Sequence, residues 1–449
     1  MSLDLEKRLA SLPPEKRKLL ELRLRKEGIG SERRPSGPPP VPRRDPDDPG
    51  PYPLSFGQQR LWFIEQLNPG SAAYNIPFAG RLRGHLDPGI LERSLREVAR
   101  RHEVLRTRFL LQDGQPVQVV DPEPFVRVPV IDLAGLPADL REAEAARIIL
   151  AEPQRPFDLE RGPIVRVSLV KLGGAGAPSH HVGTLRSQLR AAGGEGEEEH
   201  ALLVTMPHLI TDAWSMGILF RELPAIYEAM RRGEAPKLPE IPVQMADYAI
   251  WQRGWLQGEI LEEQLRFWRE YLAGAPPVLA LPTDHPRPPS QTFKGKRLPM
   301  ALPPAVVRGL KPFNERHGVT SFMTFLAVLD VLLQRWSGLD DIVIGSPVVT
   351  RPQAETHPLI GFFLNTAVLR TRMHGDPTFE ELLVRVRDSA LASLAHQDFP
   401  FERLTEVMEG TRDASYPPLV QVSYVLQNVH IAQPEFEDIR LVDSWQTDT

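Results

Sequence analysis

The chain has 449 residues, 41% of them hydrophobic and 25% charged, with a formal net charge of −5, the balance of a globular protein long enough for two or three domains. It contains no cysteine, which excludes a disulfide framework, a thiolate zinc site and a cysteine nucleophile. The charge alternates in sign along the chain, residues 1–28 lack the apolar stretch of a signal peptide, and no run approaches a membrane span; the expectation is a cytoplasmic protein with no nucleic-acid or membrane partner.

Residues 1–29 read as a helical lead-in. Leu5, Leu9 and Leu12 share one helical face, Pro13 and Pro14 break it, and a second charged helix begins at residues 19–24. The segment has too little apolar surface to fold alone, so it is either a solvated lead-in or, over residues 3–28, a docking element for another chain. Residues 30–51 hold eight prolines in twenty-two positions and are expected to form an extended, semi-rigid linker.

From Tyr52 the pattern becomes globular. Periodicity predicts helices over 57–67 and 88–102 and strands over 116–120, 163–169 and 201–206. Residues 173–199 interrupt this with Gly, Ala, Ser and a closing Glu-rich run, so they are expected to be a flexible insertion that carries the adjacent pair His180 and His181 at its surface. An amphipathic helix follows over 214–232, with Met216, Leu219, Phe220, Leu223, Tyr227 and Met230 at helical spacing. Further helices are expected over 259–272, 304–317, 321–336 and 379–396, and strands over 342–344, 362–370 and 420–426. Strands alternating with helices argue for α/β layers, and the repeated texture suggests two lobes, 52–225 and 226–449.

The most informative stretch is Met206-Pro207-His208-Leu209-Ile210-Thr211-Asp212-Ala213-Trp214-Ser215. It places His208 and Asp212 four residues apart at a strand-to-helix junction, where backbone held on both sides presents a side chain to a cleft. The residues alone leave several readings open: a packed histidine with a structural aspartate, a metal site, a nucleophilic triad using Ser215, or a lone general acid/base. The metal reading lacks further ligands at ligand spacing. The triad reading lacks a Gly-x-Ser-x-Gly elbow. A single histidine, with an ordinary pKa of about 6.5, suits acyl transfer without a covalent enzyme intermediate.

The rest of the sequence resembles the condensation domain of nonribosomal peptide synthetases, with seven motifs in order from Tyr52 onward. Ser55-Phe56-Gly57-Gln58-Gln59-Arg60-Leu61-Trp62-Phe63 resembles the opening motif, continued by Ser71-Ala72-Ala73-Tyr74-Asn75-Ile76-Pro77. Arg101-His102-Glu103-Val104-Leu105-Arg106-Thr107 resembles the second, the His208 segment the His-His-x-x-x-Asp-Gly signature, and Asp247-Tyr248-Ala249-Ile250-Trp251 the fourth. Ile360-Gly361-Phe362-Phe363-Leu364-Asn365-Thr366, His396-Gln397-Asp398-Phe399-Pro400-Phe401-Glu402, and Arg412-Asp413-Ala414-Ser415 with Pro418-Leu419 complete the series.

The resemblance implies an α/β fold of two chloramphenicol-acetyltransferase-like lobes arranged as a V around a central tunnel. It implies amide formation between a donor acyl or peptidyl thioester and an acceptor aminoacyl thioester. Both are held on phosphopantetheine of donor and acceptor peptidyl carrier proteins, with no metal and no cofactor bound by this chain. The opening motif is most similar to the subclass joining an L-configured donor to an L-configured acceptor, and His208 disfavours the cyclising subclass. The docking element at residues 3–28 would then engage an upstream synthetase.

By position in the signature, His208 is the expected catalytic residue and Asp212 a structural one. Arg351 is the expected ion-pair partner of Asp212, with Arg106 as the second candidate. Ser346, Asn365, Trp214 and Ser215 are candidate tunnel-lining residues. Three departures stand out. Pro207 replaces the first signature histidine and is tolerable only at a strand end or edge. Ala213 replaces the signature glycine, where a Cβ would obstruct a positive φ or a close approach. Family members continue beyond the strand expected at 420–426, so apolar surface and a sheet edge are expected to lie uncovered in the second lobe. The departures keep an alternative open: an impaired module that binds carrier domains or recruits a tailoring enzyme, or a remnant.

Overall fold

Central strands in this protein are apolar on both faces, and that determines how its layers stack. The computed structural model describes residues 38–45, 48, 50–174, 197–288, 295–351, 353–407, 416–427 and 433–445; the lead-in over 1–29 and the pair His180 and His181 lie outside them. In chain order the first elements are β1 (Tyr52–Pro53), α1 (Phe56–Leu67), β2 (Asn75–Arg83), α2 (Pro88–Arg101), β3 (Thr107–Gln112), β4 (Gln115–Val120), β5 (Val130–Asp132), α3 (Ala138–Ala151), β6 (Arg166–Gly174), β7 (Glu198–Pro207) and α4 (Ala213–Arg231). There follow α5 (Met245–Trp255), α6 (Gly258–Leu272), α7 (Pro304–His317), α8 (Ser321–Ser337), β8 (Asp341–Val349), β9 (Leu364–Arg372), α9 (Phe379–Ala395), α10 (Phe401–Val407) and β10 (Arg440–Trp445).

The largest sheet has the order β10-β2-β7-β6-β5, antiparallel except between β5 and β6. Its centre is β7, whose side chains alternate between two cores. Leu202, Val204 and Met206 join Leu91, Leu95 and Val98 of α2 and Leu219, Leu223 and Tyr227 of α4. Ala201 and Leu203 face the other way, onto Ala145 and Ile149 of α3. A strand covered on both faces has no polar alternation, which is why residues 201–206 read as one apolar run. The β8-β9 hairpin is sandwiched in the same manner. Ile342, Ile344 and Leu369 meet Leu326, Leu333, Leu382 and Val386 of α8 and α9, while Val343 and Val368 meet Trp268 and Leu272 of α6 and Leu404 of α10.

The structure corrects several expectations. Strand β6 begins three residues after the expected start and runs to Gly174, paired with β7 through Gly174↔Glu198. The edges of the expected insertion at 173–199 are therefore ladder, and only 175–196 fall outside the described residues. The run 420–426 is not a strand: it makes one parallel bridge, Gly345 with Ser423. Leu419 precedes it at φ +64°, and the segment is tied to β8 at Gly345, whose amide donates to the Val422 carbonyl at 3.0 Å and whose carbonyl accepts from the Tyr424 amide at 2.8 Å.

Helix α4 runs through residues 225 and 226, and β10 returns from the end of the chain to extend the first sheet. On the second half, α8 leaves Val328, Leu332 and Trp336, each four residues apart, exposed.

The proline-rich segment is not a free linker along its whole length. Val41 is 5% exposed and belongs to the core that holds α2 and α4. Arg44 pairs with Asp247 at 2.8 Å and with Glu103, and its guanidinium lies over the Tyr52 ring. Breaking a buried pair strands the remaining charge. Arg44→Ala is therefore expected to lower stability by about 2–4 kcal/mol, measured as the urea midpoint. Arg43→Ala, whose partner Glu240 is exposed at 3.8 Å, should change it by less than about 0.5 kcal/mol.

Candidate active site

The site begins where β7 ends. Pro207 is the last residue of this central strand and pairs in register with Asn75 at the start of β2. The proline lacks a backbone donor, yet it costs the sheet nothing it needs, because the ladder stops there. The next amide, that of His208, donates to the Tyr74 carbonyl at 2.7 Å, and residues His208–Ile210 form one 3₁₀ turn. Asp212 then caps α4, its Oδ1 accepting from the Ser215 amide at 2.7 Å. His208 is thus fixed between a strand end and a capped helix start.

The His208 ring is oriented by the same turn. Nδ1 lies 2.6 Å from the Thr211 carbonyl oxygen. A carbonyl can only accept, so Nδ1 carries the proton and Nε2 keeps its lone pair. The ring meets Phe362 edge-on at 5.0 Å between centroids. Burial holds the His208 pKa below its ordinary value, outweighing the Thr211 carbonyl and the Asp212 charge, which act the other way. The imidazole is therefore neutral near pH 7, with one acceptor nitrogen.

Asp212 and Ser215 are fully buried, and their polar atoms are met by other groups of the protein. Asp212 Oδ2 accepts from the Phe363 amide at 3.1 Å, and Oδ1 lies 3.4 Å from Nη2 of Arg351. Ser215 Oγ donates to the Gly361 carbonyl at 2.8 Å and accepts from the Gly361 amide at 3.1 Å and from Arg351 Nη2 at 2.9 Å. Arg351 also donates to the Thr356 and Leu359 carbonyls and stacks 3.9 Å above the Phe363 ring. Its pKa is drawn down by burial and held up by Asp212, and a guanidinium stays protonated in either case.

The other expected residues divide. Arg106 is not a partner of Asp212: it donates to the Asp121 carbonyl and lies 3.9 Å from Glu103. Trp214 is 41% exposed, and its Nε1 donates to the His357 carbonyl at 3.0 Å. Asn365 uses its whole amide on backbone, donating to the Gln397 and Phe399 carbonyls and accepting from Thr366 and Phe401. Ser346 is buried in β8 opposite Ala367. Ala213 opens α4, is exposed, and is not among the residues of positive φ, so the backbone strain expected there does not arise.

Three features were not anticipated. His102 is buried between Glu222, 3.0 Å from Nε2, and the Ile360 amide, which donates to Nδ1 at 3.3 Å. Burial pushes the Glu222 carboxyl up, but the hydrogen bonds from His102 and Arg101 and the Arg101 charge outweigh it and keep it below the usual carboxylate range. Phe362 walls His208. It also lines a partly open pocket with Phe56, Tyr248, Trp251, Trp255 and Asp398 among its walls. The only sequence signal for these was that His102, Phe362 and Asp398 fall inside family-like motifs. Among the described residues, no group of three His, Asp or Glu side chains is placed to hold a metal ion.

The model of the condensation domain family matches residues 49–178 and 189–444, and the chain belongs to that family, the condensation domains of nonribosomal peptide synthetases. Such domains form amide bonds between carrier-bound substrates inside multidomain synthetases. A linear gramicidin synthase of Brevibacillus parabrevis is 49% identical over 391 residues, covering 87% of this chain and 7% of that protein. The chain thus spans less than a tenth of that relative. The X-domain from teicoplanin biosynthesis matches with a TM-score of 0.77 at 28% identity, over 92% of this chain and 85% of that one. The first condensation domain of the CDA synthetase shares the fold, with a TM-score of 0.65 at 21% identity over 87% of this chain and 86% of that one.

Arg351→Ala should lose about 3–5 kcal/mol in urea unfolding, because Asp212 would stay buried without its cation. Arg106→Ala should cost roughly 1 kcal/mol. Arg351→Lys should recover only part of the loss, because one ammonium cannot reproduce the planar fork that reaches Asp212, Ser215 and two carbonyls.

Proposed function

We propose that this chain catalyses condensation: the amine of an acceptor aminoacyl thioester attacks the carbonyl of a donor acyl or peptidyl thioester. Both substrates arrive on phosphopantetheine arms of peptidyl carrier proteins, and the chain itself holds no cofactor. The observation that carries this reading is the His208 imidazole, neutral by burial, with Nδ1 committed to a carbonyl and Nε2 left as acceptor. Nε2 takes a proton from the amine as the C–N bond forms. The tetrahedral centre then collapses, the C–S bond breaks, and the departing thiolate recovers that proton from the imidazolium. The amide remains on the acceptor arm, and atoms and charge balance.

In this reading Asp212 and Arg351 hold the site and do not touch the reacting atoms. The subclass is the one joining L-configured donor and acceptor, the chain works in the cytoplasm, and residues 3–28 engage an upstream synthetase. Membrane attachment is no part of the reading; no single helix among the described residues is long and apolar enough to cross a bilayer. A second reading has its own support: the X-domain from teicoplanin biosynthesis was solved in complex with OxyB. By likeness to that structure, this chain would bind a partner enzyme or carrier domains without turnover.

Two measurements test the proposal. With donor and acceptor carrier domains loaded with small aminoacyl groups, intact-protein mass spectrometry should show dipeptide on the acceptor arm, and His208→Ala should slow its appearance by roughly 10²–10⁴-fold. No product from either protein, with folding and carrier binding intact, would leave the partner-binding reading. Second, burial depresses the His208 pKa, so the base form survives to lower pH. The rate should rise with pH and level off, with the midpoint of its acid limb below the ordinary histidine value of about 6.5; a midpoint above that value would count against His208 as the base.

A further inference from the structure

Residues 359–363 cross the site as irregular backbone, and all five are buried. Within them Gly361 is fixed by both of its backbone polar groups to one side-chain atom, Ser215 Oγ, at 2.8 and 3.1 Å. That double contact lies one residue before Phe362, whose ring edge meets His208, and two residues before the Phe363 amide on Asp212. A Cβ on Gly361 would sit 2.6 Å from Met245 Sδ and 2.7 Å from the Phe363 ring. The backbone therefore has little room to drift if the hydroxyl is present, and no side chain of its own to hold it if the hydroxyl is lost.

On the opposite side the Phe362 ring rests against the bare face of Gly57 in α1, where an added Cβ would come within 2.8 Å of Cε1. The ring is thus gripped between α1 and His208, with its backbone pinned from α4. The charged groups acting on His208 are Asp212, on its own turn, and Arg60, on α1. Asp212 is engaged by Arg351 and two amides, and Ser215 Oγ accepts from the same Arg351 nitrogen. Replacing Phe362 leaves that pair in place and so isolates the seating of the apolar ring.

We propose that Ser215 is a positioning residue, which holds residues 361–363 so that the Phe362 ring stays seated against the His208 imidazole. Ser215 does not contact the substrate in this arrangement; it acts through Phe362. The inference deepens the reading of His208 as the base and rests on it for its catalytic consequence, but not for its structural one.

The test is a histidine titration by NMR of the full chain labelled at its histidines, with the His208 signal assigned from its loss in His208→Gln. In Ser215→Ala, loosening of Phe362 admits water to the ring, and the His208 midpoint should move upward, toward the ordinary value. Phe362→Leu removes the shield directly and should move it in the same direction, which keeps the test decisive if Ser215→Ala does not fold. The acid limb of the condensation rate should follow both shifts. An unmoved His208 midpoint in folded Ser215→Ala, or in Phe362→Leu, would overturn the proposal and leave Ser215 as a packing residue. A midpoint that moves while the acid limb stays in place would uphold the positioning role and overturn His208 as the base.

Discussion

Backbone buried outside a helix or sheet must find hydrogen-bond partners among side chains, and in this protein residues 359–363 impose that requirement on everything around them. The Leu359 carbonyl is met by Arg351, the Ile360 amide by His102, both polar groups of Gly361 by Ser215, and the Phe363 amide by Asp212. The Phe363 carbonyl closes the set, accepting from the Thr350 amide. Each such group left unpaired would cost about 1–3 kcal/mol, so residues 102, 212, 215 and 351 are not independent features. They are one solution to one problem, and the charge pair within it is tolerable because nearly every hydrogen-bonding atom of both partners is used.

The first sheet supplies the other half of that solution. Strand β7 is pressed between α3 on one face and α2 with α4 on the other, so its end is among the least movable points of the fold. Helix α4 starts six residues later with a capped first turn. His208 and the pair Asp212 and Ser215 therefore belong to one rigid unit, and the irregular segment is attached to that unit. Arg44 does something comparable at a distance, tying the end of the proline-rich segment to the start of α5 through Asp247.

Much of this was legible in the sequence, and the failures have definite causes. The helices over 304–317 and 379–396 were readable because each pairs a local start signal with an amphipathic period: Pro304 in the first turn, and Thr378 with Glu381 as a capping box. The junction around His208 was readable because an apolar run gives way to an Asp-x-x-Ser cap. The ion pair of Asp212 with Arg351 came from resemblance to the family, since 139 residues separate the two and spacing says nothing at that range. The grip of Ser215 on Gly361 was not readable at all, because glycine has no side chain and the contact is made to backbone. The run 420–426 misled because its β-branched composition fits a strand, whereas in the fold it makes a single bridge, to Gly345. Arg44 misled in the opposite sense: a linker composition hid one cation with two carboxylate partners, Asp247 buried and Glu103 partly so.

The electrostatics of the site follow from how the aspartate is used. In a triad the carboxylate faces Nδ1 of the histidine, where it orients the ring and favours the imidazolium. Here Nδ1 faces the Thr211 carbonyl, and the oxygens of Asp212 are occupied by Ser215, Phe363 and Arg351. A carbonyl orients the ring but stabilises its charged form less than a carboxylate would. With Phe362 beside the ring, burial prevails and the base is weak. A weak base suits the proposed chemistry. An amine is a strong nucleophile once deprotonated, and the thioester is already activated, so the site needs to accept one proton and return it to the leaving thiolate. A more basic histidine would be protonated before the amine arrived and would have no lone pair to offer.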